Sequence, residues 1–379
     1  MKNRCLVEPD LKFIDAIKKA GGDSLKKCIQ CASCTVVCKL SPDLQPFPRK
    51  EMLYAGWGLK DRLVGNPDIW LCYNCGDCSD LCPRQAMPGD TLGAIRRLSI
   101  KEYSKPSAIH RLFDDPRYLP VLFILPALII TAVGLSTGLL NLQHDGGPIV
   151  YARFFPVSLI EIIFIPLPIL TGLILFIGIR KMLADMQANF FYRGLSNDTP
   201  VEPVAFLKTL VTTLPEIIKH EKFATCTQNR GRKLSHMLVS FSYLNLALVA
   251  GTFVFALYIL DSHGPYSQLN PIKIFANLSG IALIAGSLML IKDRLKSHQE
   301  QSFYFDWYLL GLSLFLGITG MITQFLRLAD RPEMAIAIYF IHLVLVFNLI
   351  AFLPYSKLAH FIYRTVAVTY SAYARKEQR

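Results

Sequence analysis

Apolar residues change regime along this chain near residue 117. Beyond that point hydrophobic side chains gather into six long runs, at about 118–141, 155–179, 236–260, 271–291, 303–328 and 335–361. A helix needs about 20 residues to cross roughly 30 Å of bilayer hydrocarbon, so each run is long enough to span a membrane. Before it, the amphipathic stretch that stands out, around 50–64, predicts a helix in a domain that faces water. Asp114, Asp115, Pro116 and Arg117 punctuate the change. Pro166 and Pro168 fall inside the second run and predict a kink, tolerated where neighbouring helices meet the freed carbonyls. The pattern reads as a mainly α protein, with a helical domain over 1–117 and a six-helix transmembrane bundle over 118–379.

Composition agrees, and charge orients the bundle. Hydrophobic residues make up 52% of the 379 positions, and the excess lies in the second regime. The net charge of +12 is concentrated at one end of the spans. Lys and Arg crowd the connection 180–233, Lys292, Arg294 and Lys296 follow the fourth span, and Arg375, Lys376 and Arg379 end the chain. The opposite turns carry Arg153 alone, no basic residue over 261–270, and Arg331. Positive-inside bias places both termini and the first domain in the cytoplasm, at the cytoplasmic membrane. The first ten residues have no apolar signal core and no twin arginine, which agrees. The stretch 203–220 has Leu207, Leu210, Val211 and Leu214 on one side, suited to the membrane surface, a partner, or its own domain. Nucleic-acid binding is excluded as the source of the charge, since no basic helix with interleaved aromatics is present.

Eight of the ten cysteines repeat one spacing, as Cys28, Cys31, Cys34 and Cys38 and then Cys72, Cys75, Cys78 and Cys82 followed by Pro83. Three cysteines two residues apart let a tight loop wrap one corner of a cubane, and the fourth thiolate then comes from the other run. This assigns Cys28, Cys31, Cys34 and Cys82 to one [4Fe-4S] cluster, and Cys72, Cys75, Cys78 and Cys38 to another. Zinc sites are built from paired knuckles in which a third cysteine at this spacing is superfluous. A disulfide framework needs an oxidising compartment that the charge pattern does not give. Cys5 and Cys226 stand outside both runs and read as reduced structural thiols.

Clusters on one side of a membrane need a redox group within it, and neutral imidazole binds haem iron without burying a net charge. His236 opens the third span and His360 closes the sixth, so the two lie at one depth and suit a haem b. His342 lies 18 residues before His360, five turns and roughly 27 Å along one helix face, which predicts a second haem b near the other leaflet. A quinone site needs a proton carrier near lipid, for which Glu161 is the first choice ahead of Asp306 and Arg327. The chain has no GxGxxG fingerprint, Walker loop or nucleophile triad, so substrate chemistry beyond quinone is not expected.

The segments KLSHMLVSFSYL around His236 and HLVLVFNLIAFLPYSKLAH from His342 to His360 resemble the cytochrome b gamma subunits of respiratory nitrate reductases and their relatives in membrane-bound heterodisulfide reductases. The doubled cysteine run is similar to the iron-sulfur C subunits of the heterodisulfide reductase family. A fusion of the two resembles the C subunits of quinone-interacting membrane-bound oxidoreductase complexes of sulfate-reducing microbes. The resemblance implies two b haems, the last five spans matching and the first one added. The position ten residues after His236, a histidine in that family, is Leu246 beside Asn245, so a partner for His342 would come from His263 or His144. It further implies menaquinol oxidation and electron transfer in dissimilatory sulfate reduction, to flavin and iron-sulfur partners resembling the A subunits of heterodisulfide reductases, with adenylylsulfate reductase as a soluble partner. The alternatives are an electron-transfer subunit of a membrane-bound heterodisulfide reductase, or a membrane anchor or sensor without haem.

Overall fold

Asp10 caps the first helix by accepting a hydrogen bond from the Phe13 amide at 2.9 Å, and α1 (Leu11–Ile17) follows. The computed structural model describes residues 8–42, 45–144, 146–195, 200–226, 231–296 and 303–377, and none of those residues lies in a strand. Short helices come next: α2 (Ser33–Val37), α3 (Arg49–Gly56), α4 (Lys60–Val64), α5 (Asp68–Leu71) and α6 (Asp77–Asp80), before the longer α7 (Pro88–Tyr103). The amphipathic stretch expected as one helix over 50–64 is thus two. Gly58 breaks it at φ +68°, where a Cβ would stand 2.7 Å from the Asp10 carbonyl oxygen, so only glycine passes. α7 is the spine of this half, burying Leu92, Ile95 and Ile100 among Ile17, Met52, Leu63, Ile69 and Trp70.

α8 (Arg111–Asp114) leads into α9 (Leu119–Ser136), and α10 (Tyr151–Phe154), α11 (Val157–Phe164) and α12 (Pro166–Tyr192) follow. After α13 (Pro203–Ile218) come α14 (Arg232–Ile259), α15 (Pro271–Lys296), α16 (Tyr304–Leu328), α17 (Pro332–Ala351) and α18 (Ala359–Glu377). Six stretches are long and apolar enough to span a membrane, Pro116–Ser136, Val157–Tyr192, Arg232–Ile259, Pro271–Lys296, Tyr304–Leu328 and Pro332–Ala351. Beside the proline pair the helix is interrupted at Ile165, between α11 and α12, where the backbone keeps helical dihedrals (φ −74°, ψ −44°).

Two spans differ from the expectation. The second continues well past 179, because α12 leaves the apolar zone as a helix and packs on the cysteine half of the molecule. The sixth does not run to 361. It ends at Ala351, the chain turns through Leu353–Tyr355, and α18 starts afresh. Pro354 has no N–H to continue the helix, so His342 and His360 lie on different helices and the five-turn argument does not apply.

The cysteine half and the bundle share one apolar core, in which Ile95 and Tyr103 join Met182, Met186, Tyr363 and Tyr370. Backbones meet closely at the seam. Added Cβ atoms would stand 2.7 Å from the Asp185 carbonyl oxygen at Gly65, and 2.5 Å from that of Tyr103 at Gly178. Polar groups lock the joint, with Asn189 Nδ2 donating to Asp61 O at 2.8 Å and Tyr355 Oη to Lys105 O at 2.8 Å. At the opposite end α9, α10, α11 and α17 enclose a second core around Ile130, Leu159, Ile336 and Leu343. α13 lies on α18, where the Thr213 and Thr369 hydroxyls meet at 3.2 Å, and it leaves Val204, Leu207, Val211 and Leu214 exposed.

Candidate metal centres

Each cysteine run folds into the same loop. Left-handed residues stand between the first and second cysteines, Gln30 at φ 60° and Asn74 at 53°, and again between the second and third, Ala32 at 71° and Gly76 at 90°. Such alternation turns backbone N–H groups inward and makes an anion-accepting concavity. The third cysteine of each run then lies in the first turn of a short helix, α2 or α6, that delivers the fourth across to the opposite loop. Cys28, Cys31, Cys34 and Cys82 therefore line one cavity of about 330 Å3. Cys38, Cys72, Cys75 and Cys78 line another of about 420 Å3. Donors point at the sulfurs, with Asn74 N 3.3 Å from Cys72 Sγ, Ala86 N 3.3 Å from Cys82 Sγ and Gln30 Nε2 3.4 Å from Cys28 Sγ. Burial pushes the thiols of Cys34 and Cys38 up to about 11, so leaving four thiolates there needs a bound cation to offset the charge. The donor set and these inward N–H groups fit two iron-sulfur cubanes.

Two arginines clamp the second loop. Arg96 of α7 donates through Nη1 to the carbonyls of Ile69 and Cys72 at 3.0 and 2.9 Å, and through Nη2 to Asn74 Oδ1 at 3.3 Å. Arg364 of α18 donates to the carbonyls of Cys72 and Leu71 at 3.1 and 3.4 Å, with its guanidinium 3.8 Å above the Tyr73 ring. The cluster loop is thereby tied to the helix that carries His360.

Three histidines gather beside it. His220 Nδ1 lies 2.8 Å from Ile218 O, which it can only meet as a donor, so its Nε2 is an acceptor and takes the Nδ1 proton of His236 at 2.9 Å. That leaves the His236 Nε2 lone pair unspent. His360 donates Nδ1–H to Lys357 O at 2.5 Å and is left in the same state, within electrostatic reach of His236. Phe223 fills the space between, its ring 5.3 Å from that of His236 and 5.4 Å from that of Tyr73. A continuous aromatic and imidazole contact thus runs from α14 to the Cys72 loop.

His342 stands apart, near the middle of α17. The Thr319 hydroxyl gives its proton to Phe315 O at 2.7 Å and accepts from His342 Nδ1 at 2.9 Å, and Gly320 leaves room against the ring. Neither expected partner is brought to it. His263 is exposed in the turn after α14, with Nδ1 3.2 Å from Asp261 O, and His144 packs on Phe154 near the far end. Glu161 is half-buried on α11, at the end of the bundle away from the cysteines. Asp306 is no free proton carrier, for it is buried between Lys357 Nζ at 2.6 Å and Arg294 Nη2 at 3.4 Å. Arg327 lies in the last turn of α16. Cys226, expected as a reduced structural thiol, lines the Cys75 cavity. Cys5 lies outside the described residues.

Comparison with known proteins matches two separate stretches of the chain. Residues 24–86 match the 4Fe-4S dicluster domain. Residues 164–379, more than half of the chain, match the family described as citrate utilization protein B. The chain belongs to that family. The membrane half, expected to resemble nitrate reductase gamma subunits, matches the citrate utilization protein B family instead. Over 92 residues it is 36% identical to the C subunit of the H2:CoB-CoM heterodisulfide,ferredoxin reductase of Methanothermobacter marburgensis, covering 24% of this chain and 50% of that protein. A protein of Archaeoglobus profundus described as like the C subunit of heterodisulfide reductase is 33% identical over 98 residues, 26% of this chain and 52% of its own. The chain spans about half the length of these curated relatives. No solved structure matches.

Within this citrate utilization protein B architecture, sequence reasoning missed His220, Arg364 and the placement of Cys226. His220 ends the amphipathic stretch 203–220, where a histidine ordinarily faces solvent. Arg364 follows the apparent end of a span, where an arginine ordinarily meets headgroups. The break after Ala351 places Arg364 against the Cys72 loop, and the left-handed turn at His220 places that histidine beside His236.

Proposed function

We propose that this chain is the electron-carrying membrane component of a heterodisulfide reductase-type complex, passing electrons between a haem b site in the bundle and two [4Fe-4S] clusters. Cys28, Cys31, Cys34 and Cys82 hold one cluster, and Cys38, Cys72, Cys75 and Cys78 the other. His236 and His360 hold haem b, and His342 belongs to a second haem site if one is loaded. Bound haem would supply one-electron chemistry that a quinone can feed, with menaquinol as the membrane donor and Glu161 as a proton carrier. The observation that carries this reading is the direct packing of the histidine group on the Cys72 loop, through Phe223, Tyr73 and Arg364.

The chain's own residues do the positioning. Hydrogen bonds from Nδ1 fix His236 and His360 as neutral Nε2 donors to a metal. Arg96 and Arg364 bring positive charge to the Cys72 loop, which favours the more negative, reduced cluster. Phe223 and Tyr73 exclude water between the two groups. Flavin and iron-sulfur proteins resembling the A subunits of heterodisulfide reductases are the partners on the cysteine side, and the basic connections support a cytoplasmic location for it. The heterodisulfide relatives favour this complex over one that serves adenylylsulfate reductase.

The test is the anaerobically purified full chain in detergent. Iron analysis should give about eight non-haem irons per chain. The dithionite-reduced spectrum should show b-type bands that His236→Ala and His360→Ala each diminish, with non-haem iron unchanged. Full iron with no haem bands would overturn the bundle half of the proposal and leave an iron-sulfur anchor.

A further inference from the structure

The cavity lined by Cys38, Cys72, Cys75 and Cys78 contains a fifth sulfur. Cys226 reaches it from the turn Glu221–Thr225 and is only 3% exposed. Cys75 Sγ, Cys226 Sγ and a carboxylate oxygen of Asp77 lie within 4.8 Å of one another. The cavity of the other cysteine set presents Arg49 and Arg84 instead. Four thiolates complete the protein ligands of a cubane, so Cys226 is surplus to that count. A purely structural thiol packs among apolar groups, whereas this one faces a sulfur and a carboxylate. Its position is fixed from both sides, since Phe223 packs on Tyr73 and His220 bonds His236.

Resting on the assignment of Cys38, Cys72, Cys75 and Cys78 to one cluster, we propose that Cys226 is an exchange ligand for the iron held by Cys75. In the resting arrangement the Cys226 thiol donates its S–H to the Cys75 sulfur. In the exchanged one, the Fe–S bond to Cys75 breaks, an Fe–S bond to Cys226 forms, and the proton ends on the Cys75 sulfur. No electron is transferred and the iron keeps its coordination number. The Asp77 carboxylate beside both sulfurs is a way-station for that proton. Because Cys226 shares its turn with His220, the ligand that holds the iron is coupled to the packing of His236. A cluster seated against the membrane half would thus change its ligand when the histidine group is rearranged.

The experiment compares Cys78→Ala, Cys75→Ala and Cys75→Ala/Cys226→Ala in the full chain, purified anaerobically, by iron and acid-labile sulfide content and by EPR of the reduced protein. Cys78 has no reserve ligand, so Cys78→Ala should lose half of the iron. Cys75→Ala should keep the full content with altered g-values, and the double variant should lose half. If Cys75→Ala loses as much as Cys78→Ala, the exchange ligand is refuted while the cluster assignment stands. If Cys78→Ala keeps all its iron, the assignment fails and takes the proposal with it. Should Cys75→Ala not accumulate, Cys226→Ala decides. Losing the S–H donor must shift the EPR spectrum and lower the midpoint potential of one cluster, and an unchanged spectrum and potential would overturn the proposal.

Discussion

Gly178 and Gly172 lie on the same helix, α12, and an alanine at each should move stability in opposite directions. A methyl carbon at 178 would stand 2.5 Å from Tyr103 O and 2.6 Å from Tyr363 Oη. That is about 1 Å inside ordinary van der Waals separation. Neither neighbour yields easily. Tyr103 O is backbone at the end of α7, and Tyr363 Oη lies 3.1 Å from Ser104 Oγ, which donates to Pro354 O at 2.6 Å. Overpacking of this kind costs about 3 kcal/mol, and helix propensity returns about 1, for a net loss of about 2 kcal/mol. At Gly172 nothing lies within 4 Å of the added carbon, so only the propensity gain of up to about 1 kcal/mol remains.

The assay is thermal unfolding in detergent, followed by the visible absorbance of the clusters and by far-ultraviolet circular dichroism. The two variants should separate by on the order of 5 °C, taking about 2 °C per kcal/mol for a chain of this size. Gly178→Ala should release its clusters before the bundle melts, because the contact it spoils joins the two halves. Equal midpoints for Gly178→Ala and Gly172→Ala would refute the close packing of α12 on α7 and α18.

Three further outcomes test the same architecture. Burial raises the Glu51 carboxyl from its usual 4.5 to about 7 despite Lys50 Nζ at 3.2 Å, with Asp68 adding to the rise. The folded state then holds a proton that the unfolded chain releases, so this stability is present below pH 4.5 and lost as pH rises through 7. The unfolding free energy from denaturant melts should fall by on the order of 3 kcal/mol across that window, and Glu51→Gln should flatten the profile. Asp306→Asn leaves Lys357 and Arg294 without their shared carboxylate and should cost about 3 kcal/mol in unfolding experiments while the iron content per folded molecule stays the same. Arg364→Met removes two hydrogen bonds to carbonyls of the Cys72 loop and should cost about 2 kcal/mol in denaturant melts and lower the midpoint potential of one cluster in an EPR titration.

The cysteine loops were legible because their chemistry is local. Spacing alone dictates which side chains a tight loop can turn to one centre, and the cavities group the cysteines as that spacing requires. Span number was legible for a similar reason, since length and apolarity decide whether a helix suits hydrocarbon. Side-chain meetings between distant segments were not. His220 beside His236 depends on a left-handed residue at 220, φ 51°, which turns the chain back after α13. Cys226 beside Cys75 depends on that same turn. Neither carries a pattern a reader of the sequence could weigh against the ordinary surface histidine or buried thiol.

The histidine spacing shows why periodicity misleads where a helix stops. Eighteen residues is five turns only if every peptide between continues the hydrogen-bond ladder. Here the ladder ends at Ala351, and the carbonyls it frees are met from outside the helix. Thr171 of α12 donates to Ile350 O at 2.9 Å, and Ser104, just after α7, donates to Pro354 O at 2.6 Å. Those partners make the break affordable in a buried place, and one of them belongs to the cysteine half. The turn starts α18 on a new course beside the cluster loops, so Arg364 meets the Cys72 loop and His360 lies four residues before it on the same helix face. An unbroken sixth span would have carried His360 on along the axis of the bundle. The break that spoiled the five-turn reading is therefore the same feature that brings Arg364, on the helix of His360, into contact with the Cys72 loop.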